Sequence, residues 1–245
     1  MTYRRVSALA AALIIILFIT RAPASLMGFV LPPAVKTTGF SGTVWKGVVA
    51  HVEIPLQSRP FAMGRITWTL NPIGFLRGDL IRVKSDWGNQ RVDVAARPAL
   101  NGSLQVNDAE LRIDLGWLRE LLPLYVGGQL KADIEFLSIT ANGTPTSANG
   151  RLVWENAAWR AMGGDVSLGS YAVDITTTDA GIRASIITLK GALQVDGLVT
   201  IAGDNYRVMA NLSGPAARNE AFQQAIALLA VPTGSGYRIE LSGTL

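Results

Sequence analysis

Apolar and polar residues alternate along most of the chain beyond residue 60. In Ile66-Thr67-Trp68-Thr69-Leu70 the large apolar side chains fall on one side of an extended backbone and the threonines on the other. This period of two is typical of strands with one buried face. The pattern recurs at residues 92–96, 111–115, 130–136, 173–175, 182–186, 206–212 and 237–241. The sequence therefore predicts a mainly β protein.

Turn-forming residues separate these runs. Asn-Gly and Asp-Gly pairs supply the positive φ angles that tight hairpins need. They stand, with related glycine turns, at residues 100–103, 142–145, 149–150, 179–181, 196–197 and 203–205. Short strands joined by such turns indicate one antiparallel meander rather than alternating β and α units.

Two segments carry a helical pattern instead. Residues 114–122 place four leucines on one face before Pro123. Residues 219–231 place Phe222, Ile226 and Leu229 on one face, with Asn219 as the N-cap and Pro232 at the end. We predict two short amphipathic helices that pack on the sheet.

The N-terminus has a different pattern. Arg4 and Arg5 precede an uncharged apolar run, residues 6–20, which Arg21 ends. A helix of about 15 residues rises ~22 Å, which is short for a hydrocarbon core of ~30 Å. Ala22-Pro23-Ala24 resembles a signal-peptide cleavage site, whereas apolar residues up to Leu31 allow a retained anchor. Both interpretations place an exported domain beyond the run, and a retained anchor also gives a cytoplasmic tail at residues 1–5.

Composition limits the function classes. The net charge is +4, yet Arg4, Arg5 and Arg21 lie in the N-terminal segment and all 18 acidic residues lie beyond it. The remainder is nearly neutral, which argues against nucleic-acid binding. Cysteine is absent, which excludes disulfides, thiol catalysis and cysteine zinc sites.

No arrangement of residues indicates catalysis. His51 is the single histidine, with only Glu53 beside it, and we expect it on a strand surface. Acid pairs such as Asp108 with Glu110 and Asp133 with Glu135 fit a solvated strand face. We therefore predict no catalytic residue, no metal ligand and no cofactor. The six tryptophans either close the edges of a thin core or line a groove for an apolar ligand or a partner strand.

An ordered set of motifs follows the apolar run. Leu31-Pro32-Pro33 precedes Ser41-Gly42-Thr43-Val44-Trp45-Lys46-Gly47, then Trp68-Thr69-Leu70-Asn71-Pro72 and Gly78-Asp79-Leu80. This order resembles type II secretion system protein N, most strongly over the first 90 residues. The motif residues, which we expect to be structural or docking residues, are Ser41, Gly42, Thr43, Trp45, Gly47, Trp68, Pro72, Gly78 and Leu80.

The resemblance implies a non-enzymatic accessory component of the type II machinery. It implies a retained anchor at residues 6–31 in the bacterial inner membrane and a periplasmic β-rich domain at residues 32–245. The partners would be other components of the secretion system and the inner membrane. The family is also similar to AsmA-like lipid-transport proteins, so an alternative is a curved half-barrel or groove that carries phospholipid. The two faces of the sheet should distinguish these hypotheses.

Overall fold

The computed structural model describes residues 13, 17–29, 31, 33–55, 61–72, 74, 80–99, 101–116, 126–161 and 164–245. These residues form fourteen strands, three short helices and their connections. The chain divides into two compact units, Met1–Trp87 and Gly88–Leu245. The prediction of a mainly β, antiparallel chain is confirmed.

The first unit contains an antiparallel meander of four strands. They are β1 (Lys36–Gly42), β2 (Lys46–Ile54), β3 (Phe61–Leu70) and β4 (Ile81–Trp87). Each pairs with its neighbour in sequence. A 3-10 helix, Ala24–Phe29, precedes them. The buried residues of this unit form one cluster, composed of Ala24, Val49, Val52 and Trp68.

The second unit contains ten strands. They are β5 (Gln90–Pro98), β6 (Leu104–Asp114), β7 (Val126–Ile139), β8 (Pro145–Ala161), β9 (Gly164–Thr178), β10 (Gly181–Lys190), β11 (Gln194–Ala202), β12 (Asn205–Ser213), β13 (Ala230–Thr233) and β14 (Gly236–Thr244). Sequence neighbours pair antiparallel from β5 to β12. The order then becomes β12, β14, β13, and β14 is the only described strand that pairs with β13.

Two rows of directly opposed apolar residues cross the second unit perpendicular to its strands. The first joins all ten strands through Val92, Leu111, Ala132, Leu152, Val173, Ile186, Gly197, Ala210, Ile239 and Ala230. The second joins nine strands through Val94, Ala109, Ile134, Gly150, Ile175, Ala184, Val199, Val208 and Leu241. We call these rows the apolar track. Most of its residues are only half-buried.

The opposite face of β6 to β9 carries a row of charged residues. Glu110, Asp133, Arg151 and Asp174 oppose one another on β6 to β9. Arg151 Nε lies 3.4 Å from an Asp174 oxygen, and about half of each side chain is exposed. Exposed pairs of this kind add little stability. The alternation predicted from the sequence therefore separates a solvated face from an apolar one.

A helical segment covers one end of the apolar face. The 3-10 helix Pro215–Arg218 leads into helix α1 (Glu220–Ile226), and Asn219 accepts a hydrogen bond from Phe222 N at 3.1 Å. The predicted N-cap is confirmed, because this bond satisfies a first-turn N–H. Phe222, Ala216 and Ala217 pack with buried residues of β8, β9 and β12 and of the loop before β11, which are Ala157, Leu168, Tyr171, Leu193 and Leu212.

Some predicted elements differ from the structure. Residues 149–150 and 196–197 lie inside β8 and β11 and are not turns. The second helix ends at Ile226, and Pro232 lies in the edge strand β13, where a missing N–H is tolerated. Asp114 ends β6, and its side chain accepts a hydrogen bond from Gly116 N at 2.8 Å, while Leu115 and Gly116 of the helix predicted for 114–122 are in 3-10 conformation. Its residues 117–122 lie outside the described residues.

The N-terminal predictions fall largely on residues that are not described. The tail at 1–5 and most of the apolar run at 6–20 are among them, while residues 17–20 are helical. Within the described part of the chain, no helix combines the length and apolar character that crossing a bilayer requires.

Tyr171 gives a test of the core of the second unit. Its hydroxyl donates to Leu193 O at 3.0 Å, and burial raises its pKa from 10.0 to about 12. The unfolded chain loses this proton at lower pH than the folded chain does, so stability should fall as the pH rises from 10.0 to about 12.

Tyr171→Phe removes that ionisation together with one hydrogen bond. Below pH 10 the variant should be less stable by about 1 kcal/mol. The deficit should shrink as the pH rises towards 12, and denaturant unfolding of both proteins across this range measures it. A deficit that stays constant would contradict the assignment.

Candidate functional site

The motif residues of the first unit meet at the turn between β1 and β2. Ser41 and Gly42 end β1, Thr43 and Trp45 lie in the connection, and Gly47 is the second residue of β2. Gly42 has a φ of 89°, which side chains disfavour, and Gly47 pairs with it directly. Thr43 N donates to Lys46 O at 2.9 Å and closes the turn.

Trp68 of β3 packs against this turn and forms a hydrogen bond with it. Its Nε1 donates to Val44 O at 2.9 Å, and its ring is buried. Phe40 packs edge-on against it, with ring centroids 6.4 Å apart. A Cβ added at Gly47 would overlap the Trp68 indole and crowd Thr43 O. Glycine at this position is therefore what lets the indole lie against β2.

The same turn is attached to the end of the apolar run and to the residues that follow it. Trp45 Nε1 donates to Ile19 O at 2.8 Å, and Val44 N donates to Ala22 O at 2.9 Å. Pro23 and Thr43 form an isolated antiparallel bridge. We call this arrangement the tryptophan clamp, composed of Trp45, Trp68, the turn 42–47 and the attached residues 19–24.

The remaining motif residues lie at the connection from β3 to β4. Leu70 N donates to Trp45 O at 2.7 Å, and Asn71 N donates to Leu80 O at 2.8 Å. The bond to Leu80 therefore lies next to the Leu70–Ile81 pair, where the pairing of β3 with β4 begins. Pro72, which follows Asn71 in the chain, is exposed. Gly78 lies outside the described residues.

The sequence interpretation missed the N-terminal half of the clamp. Ala24 and Met27 were assigned to the predicted anchor, yet both pack in the cluster around Trp68. Two indole N–H groups reach carbonyls 24 and 26 residues away in sequence. Nothing local in the sequence specifies such partners; the one usable signal was Ala22-Pro23-Ala24, whose small residues permit close packing.

His51 lies on a strand surface, as predicted. His51 is exposed on β2, and its Nε2 lies 3.0 Å from Glu53 Oε1, also exposed. Within the described ranges no three His, Asp or Glu residues are placed to hold a metal ion. The contacts that build the clamp are made by indole N–H groups, backbone N–H and carbonyl groups and glycine, so they serve shape and attachment.

Gly47→Ala tests the clamp. The added methyl group should push the Trp68 indole off β2 and cost about 1–3 kcal/mol in the free energy of unfolding, as overpacking does. Gly234→Ala is the matched control, since a Cβ there meets no atom within 4 Å. The control should stay within about 0.5 kcal/mol of the parent. Equal stabilities of the two variants in denaturant titration would contradict the described contact.

Trp68→Phe separates the ring from its N–H. The variant keeps most of the aromatic surface but leaves Val44 O without its donor. We expect a loss of about 1–3 kcal/mol, because a buried carbonyl without a partner retains its desolvation cost. Amide hydrogen exchange at Val44 and Lys46 should quicken in the same variant. Unchanged exchange would show that the indole N–H does not hold the turn.

The sequence is similar to that of known proteins over most of its length. Two proteins of similar length match at 26% identity, the type II secretion system protein N of Aeromonas hydrophila over 217 residues and that of Vibrio cholerae serotype O1 over 222. Each match covers 84% of this chain and 83% of the relative. No solved structure matches. The model of the family described as type II secretion system (T2SS), protein N matches residues 33–240, and the chain belongs to that family.

Proposed function

We propose that the protein is an accessory, non-catalytic component of the type II secretion system. Residues 6–31 anchor it in the inner membrane, and residues 32–245 lie in the periplasm as a β-rich domain. It acts in the export of folded proteins across the outer membrane by docking to other components of the machinery. The family match over residues 33–240 is the observation that carries this proposal.

The motif residues serve this role indirectly. Trp45, Trp68 and Gly47 are committed to the clamp. They fix the β1–β2 turn on the residues after the apolar run, so that the first β-strands begin at a defined place relative to the anchor. In this proposal they are structural residues, and the docking surface lies elsewhere.

The edge formed by β13 and β14 is suited to docking. β14 pairs with β12 along its whole length, whereas β13 covers only Gly236–Ile239. Glu240–Thr244 has no other described strand beside it. Leu228, Leu229 and Val231 near this edge are strongly exposed. Unpaired edge backbone can accept a partner strand, and exposed apolar side chains supply contact area.

Val231→Lys tests this edge. A lysine at this exposed position of the edge strand should disfavour strand addition, and because it lies opposite Arg238, denaturant unfolding must show that the variant is folded. We expect severalfold lower recovery of secretion components with the tagged full chain, and reduced export. Met209→Lys is the control, since Met209 is also exposed but lies on the interior strand β12. Equal recovery with both variants would exclude the edge as the docking surface.

A second function is favoured by the apolar track. Its two rows run side by side across the strands, and the described helices cover only the end around Phe222 and Tyr171. Strands lie about 4.8 Å apart, so a row across ten strands extends for about 43 Å. An extended acyl chain is shorter than this. The alternative is therefore that the sheet curves into an AsmA-like half-barrel that carries phospholipid.

Isosteric polar substitutions in the track test lipid binding. Val199→Thr with Val208→Thr keeps side-chain shape and β propensity but adds hydroxyls to the second row. Leu198→Thr is the control, because Leu198 is on the opposite face of β11, across from Ser185. If the track carries phospholipid, native mass spectrometry in mild detergent should show lipid on the parent and the control, and severalfold less on the double variant. A parent without lipid would eliminate this alternative.

A further inference from the structure

The 3-10 helix after the apolar run has two different faces. Ala24 is 1% exposed and packs with Met27 in the core of the first unit. Leu26 and Phe29 point the other way and are 44% and 87% exposed. Leu31, two residues after the end of the helix, is also exposed. One side of Ala24–Phe29 is therefore held in the core while its other side presents large apolar groups.

The exposed side is held close to the end of the apolar run. Ile19 O accepts from Trp45 and Ala22 O accepts from Val44, so the chain between them is attached to the β1–β2 turn at two points. Pro23 adds a third through its bridge to Thr43. These attachments make the 3-10 helix a rigid continuation of the first unit at the place where the apolar run ends.

The surroundings of the exposed side match a lipid surface. Residues 17–19 are exposed, apolar and helical, and they continue the uncharged run from residue 6. Arg21 separates that run from the 3-10 helix, where a long basic side chain reaches headgroup phosphates. Trp45, a partly exposed indole beside Ile19, is the residue type enriched at membrane interfaces. Apolar, basic and aromatic groups thus stand in the order found across a bilayer surface.

We infer that Leu26 and Phe29 insert into the outer, periplasmic leaflet at the boundary between headgroups and acyl chains. The 3-10 helix Ala24–Phe29 then lies in the membrane interface, and we call it the interfacial foot. Its Ala24 side packs in the core of the first unit. This inference rests on the proposed anchoring of residues 6–31. Within that segment it assigns the residues beyond Arg21 to the membrane interface rather than to the span, and it excludes a protein partner on the Phe29 surface.

The absence of cysteine makes a direct test possible, since each introduced cysteine is the single labelling site. The full chain is reconstituted in vesicles of phosphatidylethanolamine and phosphatidylglycerol. Phe29→Cys carries an environment-sensitive fluorophore, and nitroxide lipids quench it near the headgroups or near the chain ends. Asp86→Cys is the control. Ile81, the first residue of β4, pairs with Leu70, whose N–H donates to Trp45 O in the clamp. Asp86 lies about 17 Å along β4 from that end. Leu13→Cys reports the anchor.

The three positions separate the possible results. We expect the headgroup nitroxide to quench the Phe29 probe severalfold more than the Asp86 probe, and the chain-end nitroxide to quench the Leu13 probe. If the Leu13 probe is quenched but the Phe29 and Asp86 probes are quenched equally weakly, the 3-10 helix does not lie in the membrane interface. The proposed anchor would not be affected by that result. No quenching at Leu13 would contradict the anchoring and, with it, this inference.

Discussion

Strand register is the constraint on which the second unit depends. Side chains alternate between faces, so a slip of one residue in any pair would move apolar residues onto the charged face and charges onto the apolar one. Val173 illustrates this, lying between Leu152 and Ile186, while its neighbour Asp174 lies between Arg151 and Ser185. The first row of the apolar track keeps its register across all ten strands, although the pairings shift at bulges elsewhere in β5 to β10.

The first unit depends instead on contacts distant in sequence. Its cluster is small, and the indole of Trp68 joins three segments in it: the β1–β2 turn, the ring of Phe40 and the N-terminal 3-10 helix. The backbone bond from Val44 to Ala22 then attaches what precedes the strands to the strands themselves. The change from the apolar run to a folded sheet thus occurs within a few residues. Other arrangements of these segments would leave the indole N–H groups of Trp45 and Trp68, or the carbonyls that accept from them, unpaired.

The sequence predicted the strands well because alternation is a local signal, and Asn219 was identified as an N-cap for the same reason. Glycine was harder to interpret. Gly150 was assigned to a turn, yet a Cβ there would crowd Asp133 O of β7, so glycine serves close strand approach beside a bulge. The motif containing Trp45 was recognised as a unit without its partners. Those partners are carbonyls far away in the chain, and no spacing rule specifies them.

The direction of the apolar track has a consequence for how such a protein changes in evolution. Each added hairpin contributes two strands, and therefore two more residues to each row, without altering any side chain already in place. Duplication or loss of a hairpin would lengthen or shorten the track in steps of about 10 Å. Neighbouring strands would keep the same contacts throughout. The length of the apolar track can thus change without any change in the packing that stabilises the strands.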